Sequence, residues 1–112
     1  MADFNDAIEA ALSFRKERDW EQFHNPKDIA ISINLEASEL LELFQWSGSD
    51  TEVTEKHEQM KEELADVMIY CIYMAESLNI DIPEAILAKI NKNGQKYPTE
   101  KARGTSKKYT EL

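Results

Sequence analysis

Residues 25–44 read NPKDIAISINLEASELLELF and residues 60–75 read MKEELADVMIYCIYMA; these two stretches decide the fold. In each, apolar side chains recur at three- and four-residue intervals and cover most of the circumference of a helix. Asn25 before Pro26 is a helix start, an N-cap residue ahead of a proline at the first helical position, and Asp28 adds negative charge to the first turn. This second helix is expected to run to about Trp46. Ser47-Gly48-Ser49-Asp50 then breaks the pattern with turn chemistry, and Asp50 or Thr51 opens a third helix reaching about Leu78.

Outward from these two, residues from about Asp3 to Trp20 form a first helix with Phe4, Ile8, Ala11, Leu12 and the side of Arg15 on one face. Asn79-Ile80-Asp81-Ile82-Pro83 repeats the stop-and-start signal for a fourth helix that ends before Tyr97-Pro98. The predicted architecture is all-α: a four-helix, bundle-like domain over residues 1–98 and a short basic C-terminal tail over residues 99–112. Helices two and three are too apolar for surface helices, so a homo-oligomer is expected to bury them between subunits.

The chain has 112 residues, enough for one domain, and its 31% charged residues with only 3 Gly and 3 Pro disfavour disordered or turn-rich all-β classes. One cysteine, Cys71, and two histidines cannot build a zinc finger, and a reducing compartment is the expected setting. The amino terminus lacks the basic and apolar regions of a secretory leader, and the longest apolar run, Val67 to Ala75, is far below the roughly 20 residues of a membrane helix. No membrane association and a cytoplasmic location are therefore expected. A net charge of -9 would repel duplex nucleic acid. Residues 96–112 nevertheless carry Lys96, Lys101, Arg103, Lys107 and Lys108 against Glu100 and Glu111, a net +3, which leaves -12 on the remaining 95 residues.

The informative residues are the acids that interrupt the apolar stripes. Glu36 and Glu39 share one face, Glu36 between Ile33 and Leu40, Glu39 between Leu35 and Leu43. Glu63, between Met60 and Val67, and Asp66, followed by Ile69 and Tyr70, repeat the arrangement on the third helix. Two such pairs should face one another, and four carboxylates in a partly desolvated space repel unless a cation sits among them. With no histidine or cysteine in register, the ligand set is all oxygen and suits Mg2+, with Mn2+ as a substitute. Glu42 and Glu62 are either supporting groups or solvent-facing acids. The plain alternative is an acidic surface paired with Lys or Arg, as for most Glu-x-x-Glu pairs. A ferritin-like di-iron site needs Glu-x-x-His on two helices, and only Glu21 to His24 has that spacing.

The fourth helix presents Lys89, Lys92, Asn93 and Lys96 as one polar, basic stripe that could hold phosphate oxygens or simply face solvent. Trp20, Phe23 and His24, then Trp46 and Tyr70, gather at helix ends or near the acids and either form a slot for a planar base, with Gln22 or His24 at its edge, or pack as core.

Glu36-x-x-Glu39, Glu63-x-x-Asp66, Lys92-Asn93 and Lys96-Tyr97-Pro98, together with Phe14-Arg15-x-Glu17-Arg18-Asp19-Trp20-Glu21-Gln22-Phe23-His24 and Leu43-Phe44-Gln45-Trp46, resemble the MazG-like all-α nucleotide pyrophosphohydrolases, and the dCTP pyrophosphatase branch in particular. The resemblance covers roughly residues 8 to 98. It implies a Mg2+-dependent enzyme that cuts a nucleoside triphosphate between its α and β phosphates, with dCTP or a modified dCTP as substrate. It also implies Glu36, Glu39, Glu63 and Asp66 as metal ligands, and Trp20, Glu21, Gln22, Phe23, His24, Trp46 and Tyr70 at the nucleoside. Lys89, Lys92, Asn93 and Lys96 would face the phosphates, and a homodimer or homotetramer would complete the site. Water activation falls to Glu39, with Glu36 and Glu63 as the other candidates. A noncatalytic helical oligomer that binds a cation or a basic partner is the competing expectation.

Overall fold

The computed structural model describes residues 1–112. It holds four main helices and no strand: α1 (Phe4–Glu17), α2 (Pro26–Glu42), α3 (His57–Ser77) and α4 (Ile82–Lys96), followed by a single turn of helix, α5 (Thr99–Ala102). Two compact units result, Met1–Asn79 with α1 to α3, and Ile80–Leu112 with α4 and the tail. No helix is long and apolar enough to cross a membrane.

The helix starts follow their capping side chains. Asp3 accepts from the Asp6 N–H at 2.9 Å while Asp6 accepts in return from the Asp3 N–H, Asn25 accepts from Asp28, and Asp81 from Glu84. The helix ends depart from expectation. α1 stops at Glu17 instead of Trp20, because Asp19 takes a left-handed conformation at φ 54° and redirects Trp20–Phe23 into a 3-10 turn. α2 stops at Glu42, four residues short of Trp46, as a run of turns begins and Trp46 itself adopts φ 66°. α3 starts at His57, not near Asp50, because Asp50 spends its carboxylate on the Glu52 and Val53 N–H groups of a turn.

Val53 explains how that turn is held. A β-branched residue at φ 47° is strained, yet Val53 is 3% exposed and its N–H donates to Asp50 Oδ1 at 3.0 Å, so burial and a hydrogen bond fix the conformation. Lys56 then donates from Nζ to the Leu43 carbonyl at 3.3 Å, placing a cation at the C-terminal end of α2.

Within this first unit α3 packs along α2 and against α1. The centre is formed by Ile29, which is 1% exposed, with Ala11, Ile72, Tyr73 and Ala75. Tyr73 donates its hydroxyl to the Ala11 carbonyl at 3.0 Å, a buried bond that ties the third helix to the first. Much apolar surface stays uncovered: Ile31, Leu35 and Leu41 on α2 and Leu64 and Met68 on α3 are exposed. Tyr73→Phe should cost about 1 kcal/mol and lower Tm by about 4 °C, because a buried carbonyl loses its donor; differential scanning fluorimetry of the two proteins checks this.

Candidate functional site

The pairing of α2 with α3 brings Glu36, Glu39 and Glu63 together, with one carboxylate oxygen of each within 4.8 Å of the others. Glu36 and Glu63 are half-buried and Glu39 is exposed. Neither of the chain's two ion pairs, Arg18–Glu17 and Lys61–Glu58, involves these acids, so the acidic-surface alternative lacks its cations. Burial pushes the Glu36 carboxyl up to about 7, reinforced by hydrogen bonding with Glu39 and by the charges of Glu39, Asp66 and Glu63. Desolvation, Glu39 and Asp66 raise Glu63 as well. Asp66 acts on both by charge and stands outside the three-oxygen group.

These residues fit a hard divalent cation. Glu36 Oε2 and Glu63 Oε2 are sealed from solvent with no hydrogen-bond partner, and an all-carboxylate donor set is what Mg2+ or Mn2+ selects.

Glu36 and Asp66 also line a cleft of about 600 Å³. Its other walls are apolar: the rings of Phe4, Phe14, Trp20, Tyr70 and Tyr73 and the aliphatic side chains of α3, with Ala7, Ala10, Ala11 and Ala65 leaving room between them. That volume suits a nucleoside-sized molecule, with an apolar body and a few polar groups at one end. The sequence points to Trp20 and Tyr70 here; it does not point to the alanines. Phe4, Ala7, Ala11 and Phe14 fall at helical spacing on α1, and that stripe is the only signal available for this wall.

The remaining candidates are placed as follows. His24 lies beside the cleft, with its ring 5.1 Å from Tyr73 and 6.2 Å from Tyr70. Burial, then the Arg15 charge, holds its pKa below the ordinary histidine value against the pull of Glu21, so the ring is neutral near pH 7. Gln22 donates to Asp19, both to its carbonyl and to Oδ2 at 3.0 Å, and so stiffens the 3-10 turn. Phe23 is exposed. Trp46 does not join Trp20 in a slot: it is 91% exposed and lies outside the cleft lining. Lys89, Lys92, Asn93 and Lys96 are exposed along α4, in the second unit.

The sequence places Arg15 at the edge of an apolar face, and the structure buries it to 6% exposure, its guanidinium 4.8 Å from the centre of the Tyr73 ring. Its Nε has no partner. Cys71 is partly buried and free.

A model of the MazG-like family matches residues 31–112. The chain belongs to the MazG-like family. It is 42% identical over 105 residues to dCTP pyrophosphatase 1 of Mus musculus and 41% identical over 104 residues to that of Homo sapiens, in each case over 88% of this chain and 61% of the relative. It thus spans about three fifths of the length of these curated relatives. A solved structure of a pyrophosphatase from Archaeoglobus fulgidus superposes with a TM-score of 0.77 at 37% identity, covering 88% of this chain and 94% of that one.

The raised Glu36 gives the MazG-like carboxylate group a pH signature. Its native value of about 7 exceeds the 4.5 of a free side chain, so the native state binds more protons than the unfolded chain between those values, and stability falls as pH rises through that window. A bound cation removes the penalty where it is largest. Added Mg2+ should therefore raise Tm by about 4 °C more at pH 8 than at pH 5, equivalent to about 1 kcal/mol after solvent screening; melts with Mg2+ and with EDTA at the two pH values measure the difference.

Proposed function

We propose that this MazG-like protein is a nucleoside triphosphate pyrophosphohydrolase that converts dCTP, or a modified dCTP, and water to dCMP and pyrophosphate, with Mg2+ as its cofactor and Mn2+ as a substitute. The observation that carries the reading is that Glu36 belongs at once to the carboxylate group and to the aromatic cleft, whose wall also holds Asp66. A site that holds a cation at one end of an apolar, ring-sized space suits a molecule that is anionic at one end and flat at the other.

Glu36, Glu39, Glu63 and Asp66 would hold the cation. When bound, a divalent ion supplies charge neutralisation at phosphate oxygens and lowers the pKa of water. The protein's own residues do the rest. Glu39, the exposed member of the group, accepts the proton of the attacking water; the α–β phosphoanhydride bond breaks and pyrophosphate departs with the electron pair. Trp20 and Tyr70 lie against the nucleoside in the cleft, and the neutral ring of His24 offers a hydrogen-bonding edge near it. The preference for cytosine rests on the likeness of the chain to relatives named dCTP pyrophosphatase, because stacking alone accepts any base.

The uncovered apolar side chains of α2 and α3 support a homodimer or homotetramer. Trp46 stands outside the cleft of its own chain, so its assignment to the nucleoside belongs to an assembled site.

Incubation of the protein with Mg2+ and dCTP should yield dCMP and pyrophosphate without dCDP, resolved by anion-exchange chromatography; dCDP as the first product, or intact dCTP with either metal, overturns the reading. Glu39→Gln and Asp66→Asn should each lower kcat by about 100-fold or more while circular dichroism stays unchanged.

A further inference from the structure

In the second unit the tail does not hang free of α4. The Tyr109 ring lies 6.0 Å from that of Tyr97 in an edge-on arrangement, interplanar angle 79°, and Lys96 Nζ sits 4.9 Å from the centre of the Tyr109 ring. The 3-10 turn Tyr109–Glu111 ends the segment that presents this ring, and α5 with the turn at Gly104, φ 78°, brings it back. Tyr97 caps α4, donating its N–H to the Asn93 carbonyl at 2.8 Å. Tyr109 therefore packs on the residue that ends α4 and under the last lysine of its basic stripe.

The chemistry of that contact is unusual for an acidic chain. Neither ion pair of the molecule involves Lys96, although the chain has 22 acidic residues to offer. A carboxylate would hold the ammonium and cancel its charge. An aromatic face holds it through the ring quadrupole and leaves the charge whole. A long, mobile lysine is thereby restrained at the end of α4 while its full positive charge stays available to an anion.

We propose that Tyr109 is a positioning residue, which holds Lys96 in place to bind the phosphate groups of the nucleotide or the pyrophosphate product. This rests on the pyrophosphohydrolase reading and on taking the basic stripe of α4, with Lys96 at its end, as the phosphate-facing side of that site. Calorimetric titration of the full chain with inorganic pyrophosphate in Mg2+ tests both layers. Lys96→Met should weaken binding, which tests the assignment. Tyr109→Ala should weaken it about two- to fivefold, the range for an exposed cation–ring contact, without lowering Tm appreciably. Tyr109→Phe, which keeps the ring, should bind as the parent does, and Tyr109→Ala added to Lys96→Met should cause no further loss. Parent-like binding by Tyr109→Ala beside a weakened Lys96→Met refutes the positioning role alone, as does an additive double variant. Parent-like binding by Lys96→Met, or no pyrophosphate binding by the parent, refutes the phosphate assignment and the positioning role with it.

Discussion

Mutual repulsion among carboxylates is the constraint on which the site depends. Burying α2 against α3 brings Glu36, Glu39 and Glu63 within reach of one another, and no lysine or arginine is there to relieve them. Apolar packing at Ile29 and Ile72 forces the approach, and the acids store the cost as a raised proton affinity. Protonation or a divalent cation are the two ways to discharge it. Lys56 on the Leu43 carbonyl and Val53 in its left-handed turn keep the α2–α3 connection from opening to relax the repulsion.

The aromatic side of the site is built on α1 and α3. Tyr73 is at once a buried strut to Ala11, a wall of the cleft, a platform for Arg15 and a neighbour of His24. Burial, and then the Arg15 charge, disfavour a positive charge on His24, which keeps the imidazole neutral beside a cleft whose other end collects anionic oxygens. The same three helices thus separate an apolar, charge-poor end from a carboxylate end within one cavity.

The acid pairs were legible in the sequence because charges at i, i+3 within an apolar stripe violate the pattern that surrounds them. The starts of α2 and α4 were legible because Asn25-Pro26 and Asp81-Ile82-Pro83 carry local capping chemistry. The ends of α1 and α2 and the start of α3 were not, since they turn on left-handed Asp19, Trp46 and Val53, and Val53 is held by tertiary burial that no local propensity announces. Alanines 7, 10 and 11 carry no functional group, so beyond the apolar stripe that includes Ala11 nothing in the sequence marks the wall they form. The helical period puts Arg15 at the edge of the apolar face, but full burial of its guanidinium beside Tyr73 depends on the packing of α3, which period alone does not announce. The aromatic fold-back of Tyr109 onto Lys96 spans 13 positions of irregular chain, which periodicity does not cover.

Trp46 has an optical consequence. The chain has two tryptophans, and one of them stands 91% in water on a backbone held at φ 66°. Indole emission shifts to the red when the excited dipole is surrounded by mobile water and to the blue when the ring is enclosed. Trp46 therefore serves as an intrinsic fluorophore whose colour reports whether anything, a nucleotide or another subunit, has closed over the end of α2.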